Sequence, residues 1–308
     1  MRRPNNYVSP IDRLADRIIQ KLQEGTMPWK RRWDSTGFVP PLRSNGAPYT
    51  GINYFTLSMT AEDKGYSSPY WLTYKKAQEM GGQVRKGEHA SHAIFYKSYV
   101  PGQSDGQGDG EEDSTKRWVA KCYSVFNADQ IDNLPANFHP APKPLRENAS
   151  ELRPTIEAIA QATGARIEHR GNSAFYAPST DMVVMPDIGK FHSYEAYAAT
   201  LMHELVHWTS APSRLDRVLG KRFGDDAYAA EELIAELGAA RLCDSLGFPA
   251  DHLESHAAYI GSWIKVLKAD PRAILTAAAK ADAAARYIYP AIDGMKTVEE
   301  EDEDQLAA

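Results

Sequence analysis

Hydrophobic positions recur at helical spacing from the start of the chain. Ile11, Leu14, Ile18, Ile19 and Leu22 fall three and four residues apart, which predicts an amphipathic helix over Pro10–Glu24 that Gly25 ends. A turn-rich stretch follows at Arg43–Asn53. Gly81–Gly87 reads as a Gly-bounded turn, and Ala93–Val100 and Trp118–Phe126 read as strands. Residues 101–117, rich in Gly and acid, form a loop joining those two strands of one sheet. A second block opens after Pro135, Pro140, Pro142 and Pro144, with a helix over Arg153–Thr163 and short strands at Ala165–His169, Ser173–Ala177 and Asp181–Met185. Then comes a helix without Gly or Pro, Tyr194–Trp208, capped by Ser193. Another, Tyr228–Ala240, has Asp225 or Asp226 as its cap. Helices over Asp251–Ala269 and Pro271–Tyr287 complete the pattern, with Tyr259, Trp263, Ile264 and Leu267 as a packing stripe. The fold class is α+β in two domains: a mixed α/β unit over 1–134, a Pro-rich linker over 135–145, a second domain over 146–290 and an acidic tail over 291–308.

Composition narrows this picture. With 43% hydrophobic and 25% charged residues the chain reads as soluble, and no apolar run approaches the roughly 18 residues that span a bilayer. The basic N-terminus is not followed by an apolar core, so the expected location is the cytoplasm, with no membrane partner. Cys122 and Cys243, far apart in sequence, fit reduced thiols in that compartment.

The net charge of −6 conceals an asymmetry. Residues 1–100 carry 15 Lys and Arg against 8 Asp and Glu, whereas the remainder carries 20 against 33. A basic domain in an acidic protein points to a polyanion. The same hundred residues hold 14 of the 31 aromatics. Aromatics interleaved with cations suit single-stranded DNA, which needs π-faces for unstacked bases and charge along the phosphates. Trp29, Lys30, Arg31, Arg32 and Trp33 form the densest alternation, and Arg43, Tyr49, Trp71, Lys75, Lys76, Arg85 and Lys86 join them as candidate contacts. No helix-turn-helix, zinc-finger cysteines or RNP motif is visible, which disfavours duplex base readout.

The sharpest chemistry lies at His203-Glu204-Leu-Val-His207. Positions i and i+4 share a helix face, so both imidazoles can grip one cation, and the intervening Glu is placed as a general base for metal-assisted hydrolysis. Downstream, Glu231, Glu232 and Glu236 compete as third ligand. Glu232 and Glu236 share a face of small residues, whereas Glu231 is rotated away from it. Zinc suits two imidazoles and a carboxylate, and manganese or cobalt also fit that set.

Several motifs occur together in order: Glu24-Gly-Thr-Met-Pro-Trp29 with Trp33, Tyr49-Thr-Gly-Ile-Asn53, Gly65-Tyr-Ser-Ser-Pro-Tyr-Trp-Leu-Thr-Tyr-Lys-Lys-Ala77, Val84-Arg-Lys-Gly-Glu88, His203-Glu-Leu-Val-His-Trp208 and Tyr228-Ala-Ala-Glu-Glu-Leu-Ile-Ala-Glu-Leu237. The set resembles the ArdC family of plasmid-encoded antirestriction proteins, with related modules in plasmid primases of the TraC type. The match runs from about Ile11 to the helix around Arg286. The resemblance implies an N-terminal single-stranded-DNA-binding domain joined to a C-terminal zincin-like metallopeptidase domain, acting for incoming conjugative DNA against restriction. It implies His203, His207 and Glu232 as ligands and Glu204 as general base. Glu236 stands where many relatives have Asp, in a supporting position, and Tyr228 is a weaker candidate for oxyanion support. Two alternatives accompany this reading: a DNA shield whose metal only braces the fold, and a protease for a restriction enzyme or another DNA-bound protein.

Overall fold

The stripe of the first helix turns inward, and it meets helices from the far end of the chain. The computed structural model describes residues 8–29, 39–99, 117–141, 149–219, 227–248 and 257–290. Helix α1 spans Pro10–Gln23; Ser9 accepts a hydrogen bond from the Asp12 amide while the Asp12 side chain returns to Ser9, a capping box that fixes its start. Its stripe of Leu14, Ile18, Ile19 and Leu22 is buried.

Helix α2, Gly51–Lys64, has no counterpart in the sequence pattern. Ile52, Asn53, Tyr54, Thr56, Leu57, Ser58 and Met59 are all buried, so the helix is enclosed along most of its length and shows polar residues to solvent only in its last turn, Glu62, Asp63 and Lys64. Strands β1 (Trp71–Thr73), β3 (Ser91–Tyr99) and β4 (Arg117–Asn127) form a sheet in the order β1-β4-β3. β3 and β4 pair antiparallel from Ser91 opposite Val125 to Tyr99 opposite Arg117, so residues 100–116 connect neighbouring strands of one sheet. A short helix α3 (Tyr74–Glu79) and the paired β2 (Gln83–Val84) and β5 (Ile131–Asp132) flank it. The first part of the Pro-rich stretch packs here too. Phe138 is buried with Leu72, Val84 and Ile131, and its carbonyl accepts the Ser68 hydroxyl.

The second half begins with α4 (Ala149–Thr163), followed by β6 (Arg166–His169), β7 (Phe175–Ala177) and β8 (Met182–Met185). Their sheet order is β6-β8-β7, with β6 parallel and β7 antiparallel to β8. Helix α5, Tyr194–Trp208, is capped by Ser193 as its sequence predicts. Then come α6 (Ala227–Leu246), α7 (Ala257–Ala269) and α8 (Ala273–Ile288). The caps proposed at Asp225 or Asp226, and the acidic tail, lie outside the described residues.

The two halves share one hydrophobic core. Leu14, Ile18, Ile52 and Met59 belong to the same buried cluster as Leu237, Trp263 and Ile274. Trp29 meets Trp263 edge to face at 5.6 Å between ring centres. Beside it the Tyr54 hydroxyl donates to Asp244 Oδ2 at 2.5 Å, and the Arg241 guanidinium lies 4.0 Å from the Tyr54 ring centre. Arg241 also pairs with Asp282 at 3.4 Å. No helix among the described residues is long and apolar enough to cross a membrane.

Candidate functional site

Helices α5 and α6 pack closely enough to bring three chemical groups together. His203 and His207, one turn apart on α5, place their Nε2 atoms 3.1 Å from each other. From α6, Glu232 places Oε2 3.6 Å from His203 Nε2 and Oε1 3.6 Å from His207 Nε2. Ligand atoms of these three residues lie within 4.8 Å of one another, and all three are largely buried. Atoms about 2.0–2.1 Å from a tetrahedral ion stand about 3.4 Å apart, so the spacing suits one cation. The two Nε2 atoms, 3.1 Å apart, are close enough to share one cation. The donor set therefore fits a divalent ion.

Glu231 does not turn away from the centre. Its Oε1 lies 3.3 Å from His207 Nδ1, and Arg217 grips the same carboxylate through Nε at 3.1 Å and through a second nitrogen at 2.5 Å. A carboxylate only accepts, so Nδ1 carries the hydrogen and Nε2 keeps its lone pair toward Glu232 and His203. Arg217, whose side chain is 2% exposed, also donates to Thr209 Oγ1 and to the Val206 carbonyl, both at 2.6 Å. It ties the end of α5 to α6. Burial opposes the Glu231 charge, yet hydrogen bonds from His207 and Arg217 outweigh it and hold the carboxyl below its usual range.

Glu204 is buried beside this cluster. Burial pushes its carboxyl up; the neighbouring histidines and a hydrogen bond from the Tyr176 backbone amide on β7 work the other way without reversing the shift. β7 is itself fixed to α5 through Arg214, which donates to the Trp208 carbonyl at 2.6 Å and to the Tyr176 hydroxyl at 3.2 Å, holds Asp181 in the following turn at 2.5 and 3.0 Å, and stacks 3.9 Å over the Trp208 ring. Tyr228, 66% exposed, stands at the edge of the site against Tyr259. A hydrogen bond with Tyr259, then burial and the Glu232 carboxylate, push its hydroxyl up. Glu236, one turn beyond Glu232, is fully buried. Arg217 and Arg214 sit in the segment after α5, and their roles follow from contacts with distant elements that no local spacing marks.

The aromatic candidates for stacking on DNA have mostly become core. Trp29, Tyr49 and Trp71 are 4%, 0% and 1% exposed, so none presents a free ring face to a base. Lys30, Arg31, Arg32 and Trp33 lie outside the described residues. The Arg43 guanidinium lies 5.6 Å from the Tyr49 and 5.3 Å from the Phe95 ring centres. Lys76 pairs with Glu79, and Arg85 with Glu88 and Asp132, while Lys75 and Lys86 are exposed.

Two domain families match the chain. Residues 9–126 match the N-terminal domain of anti-restriction factor ArdC, and residues 154–280 match a zincin-like metallopeptidase. Among curated proteins, a DNA primase TraC of Escherichia coli is 40% identical over 287 residues; this covers 88% of the chain but 26% of the primase, so the chain spans about a quarter of that relative. The uncharacterized protein y4eC of Sinorhizobium fredii is 35% identical, with 94% of each chain covered. Among solved structures, the metal-free antirestriction ArdC protein of plasmid R388 superposes with a TM-score of 0.75 at 42% identity, covering 93% of this chain and 98% of that one. Its Mn(II)-bound form gives 0.74 at 41% identity, covering 94% and 100%. With both domain matches in sequence order and the R388 protein covered almost end to end, the chain belongs to the ArdC antirestriction family.

Proposed function

We propose that this antirestriction protein binds single-stranded DNA through its basic N-terminal half and hydrolyses peptide bonds at the centre formed by α5 and α6, with a restriction enzyme or another DNA-bound protein as substrate. The observation that carries the catalytic reading is the buried Glu204 carboxyl beside the His203, His207 and Glu232 donor set. A divalent ion held by those three residues would supply Lewis-acid polarisation of an amide carbonyl. Zinc is our choice on ligand type, and the manganese held by the R388 relative suits the same donors.

The chain's own groups supply the proton chemistry. Glu204 accepts a proton from the attacking water and returns it to the departing amine; a carboxyl raised toward neutral pH does both steps more evenly than an ordinary glutamate. The Tyr176 amide holds that carboxylate in place. Glu231, clamped by Arg217, keeps His207 in the tautomer that binds a cation. β7, which carries Tyr176, is an edge strand of its sheet, a position at which an extended peptide can add by backbone pairing. Tyr228 stands near enough to Glu232 to steady an oxyanion.

The test is the Glu204→Gln variant. It should retain its divalent ion, while His203→Ala should lose it, and Glu204→Gln should cleave protein substrates at least about 100-fold more slowly than wild type. A plasmid-protection assay then separates the readings. Full protection by Glu204→Gln would favour a DNA shield with a structural metal and remove proteolysis from the antirestriction mechanism.

A further inference from the structure

We infer that the cleft between α1, α2 and the start of β3 seats the backbone of the single-stranded DNA, with Tyr66 as the surface for a base; this rests on the DNA-binding reading above. The cleft has a volume of about 280 Å³, and its lining includes Arg13, Arg17, Lys64, Tyr66, His89 and His92. Among the described residues no carboxylate lines it. In a chain with six more acidic than basic residues, a hollow bordered by Arg13 and Lys64 beside the paired Arg17 is a local excess of positive charge.

The acid nearest in sequence is already engaged. Asp63, beside Lys64, accepts Arg17 at 2.6 Å and Lys21 at 2.9 Å. Among the described residues, Arg13 and Lys64 have no acidic partner, and both are exposed. Arg13 stands one turn before Arg17 on α1, and Lys64 follows Asp63 at the end of α2, so the two unpaired cations flank the paired one. A phosphate between Arg13 and Lys64 would supply the counter-charge that both lack.

Tyr66 supplies what the buried tryptophans cannot. Its ring is half-buried and held edge to face on Trp71 at 5.9 Å, yet it reaches the cleft wall. A fixed ring with an accessible side is the requirement for stacking an unpaired base. The hydroxyl of Ser91 adds a donor for a phosphate oxygen. The hollow is on the scale of a nucleotide, and it is recessed between two helices, which favours a flexible single strand over a duplex.

The experiment measures fluorescence anisotropy of a labelled oligothymidylate with the full chain over a salt series. The Arg13→Ala/Lys64→Ala variant should lower the salt slope by about 1.4, two phosphate contacts at roughly 0.7 each. Tyr66→Leu should weaken binding roughly 5- to 100-fold with the slope unchanged, and Tyr66→Phe should restore it. Lys268→Ala/Arg272→Ala, which removes the same charge from exposed positions in the other half, should leave the slope as in wild type. Melting temperatures show that each variant is folded; should Tyr66→Leu melt early, the Arg13/Lys64 pair decides alone. Wild-type binding with an unchanged slope in Arg13→Ala/Lys64→Ala, or an equal drop in Lys268→Ala/Arg272→Ala, overturns the cleft and leaves DNA binding standing. Displacement by polyglutamate as readily as by unlabelled DNA also overturns it. No binding by wild type overturns both readings.

Discussion

Gly238 faces Val206 across the α5–α6 contact so closely that a Cβ at position 238 would lie 2.8 Å from one Val206 methyl and 3.1 Å from the other. Both helices carry ligand candidates within two turns of that point. The glycine thus sets how near Glu232 comes to His203 and His207. Gly238→Ala should force the helices apart, because a β-branched side chain in a helix cannot swing away. Overpacking costs about 1–3 kcal/mol, and the better helix propensity of Ala recovers at most about 1. Melting temperature and divalent-ion affinity should fall together. An Ala variant matching wild type in both would show that the contact does not govern the site.

Arg217 should matter to the metal although it touches none of the three donors. Removing its guanidinium in Arg217→Ala strands the Glu231 carboxylate and releases the hold on His207. Loss of such a supporting partner costs about 10- to 100-fold in metal affinity. Competition against a chromophoric chelator measures it. Undiminished affinity in Arg217→Ala would reduce the residue to a brace for the end of α5.

The histidine helix was legible because every cue is local: the Ser193 cap, the unbroken body of the helix and the four-residue spacing of His203 and His207. The flanking strands were legible for the same reason. The choice among Glu231, Glu232 and Glu236 was not, since it depends on how α6 is rotated against α5. Glu231, read as pointing away, pairs with His207 because Arg217 reaches it from a loop fourteen residues earlier. α2 escaped notice because it is enclosed, and an enclosed helix has no stripe. Trp29 and Trp71 looked like stacking platforms because burial is a property of the partners, here Trp263 for one and Tyr66 for the other.

Acid should weaken the α1–α2 junction in a defined direction. Burial alone would raise the Asp63 carboxyl, but hydrogen bonds from Arg17 and Lys21 hold it below its ordinary value of 3.8. A lowered carboxyl contributes stability that is fully present above 3.8 and is lost as pH falls through the lower folded value. The side chain is 37% exposed, so solvent screening keeps the contribution under about 1 kcal/mol. Asp63→Asn should therefore be slightly less stable than wild type at pH 6, with the difference shrinking as pH falls below 3.8. A gap independent of pH would assign the effect to packing.

The shared core leads to the last expectation, that the two halves unfold as one. Trp29 packs on Trp263, the stripe of α1 lies in the same cluster as Ile274, and the Tyr54 hydroxyl reaches the buried Asp244 on the helix that carries Glu232. Separating the halves would expose these apolar faces and leave Asp244 without that donor. A single calorimetric transition should result, with the enthalpy from its shape equal to the enthalpy from its area. Tyr54→Phe removes one buried hydrogen bond and should lower stability by about 1–3 kcal/mol. Because the bond crosses between the halves, the variant should lower the whole transition rather than split it. Stripping the divalent ion should likewise lower the melting of the entire chain, since a ligand that binds only the folded form stabilises everything that unfolds with it. Two resolved transitions in wild type, with only one moving on ion removal, would show two independent domains and would restore the stretch after Pro135 to the role of a linker.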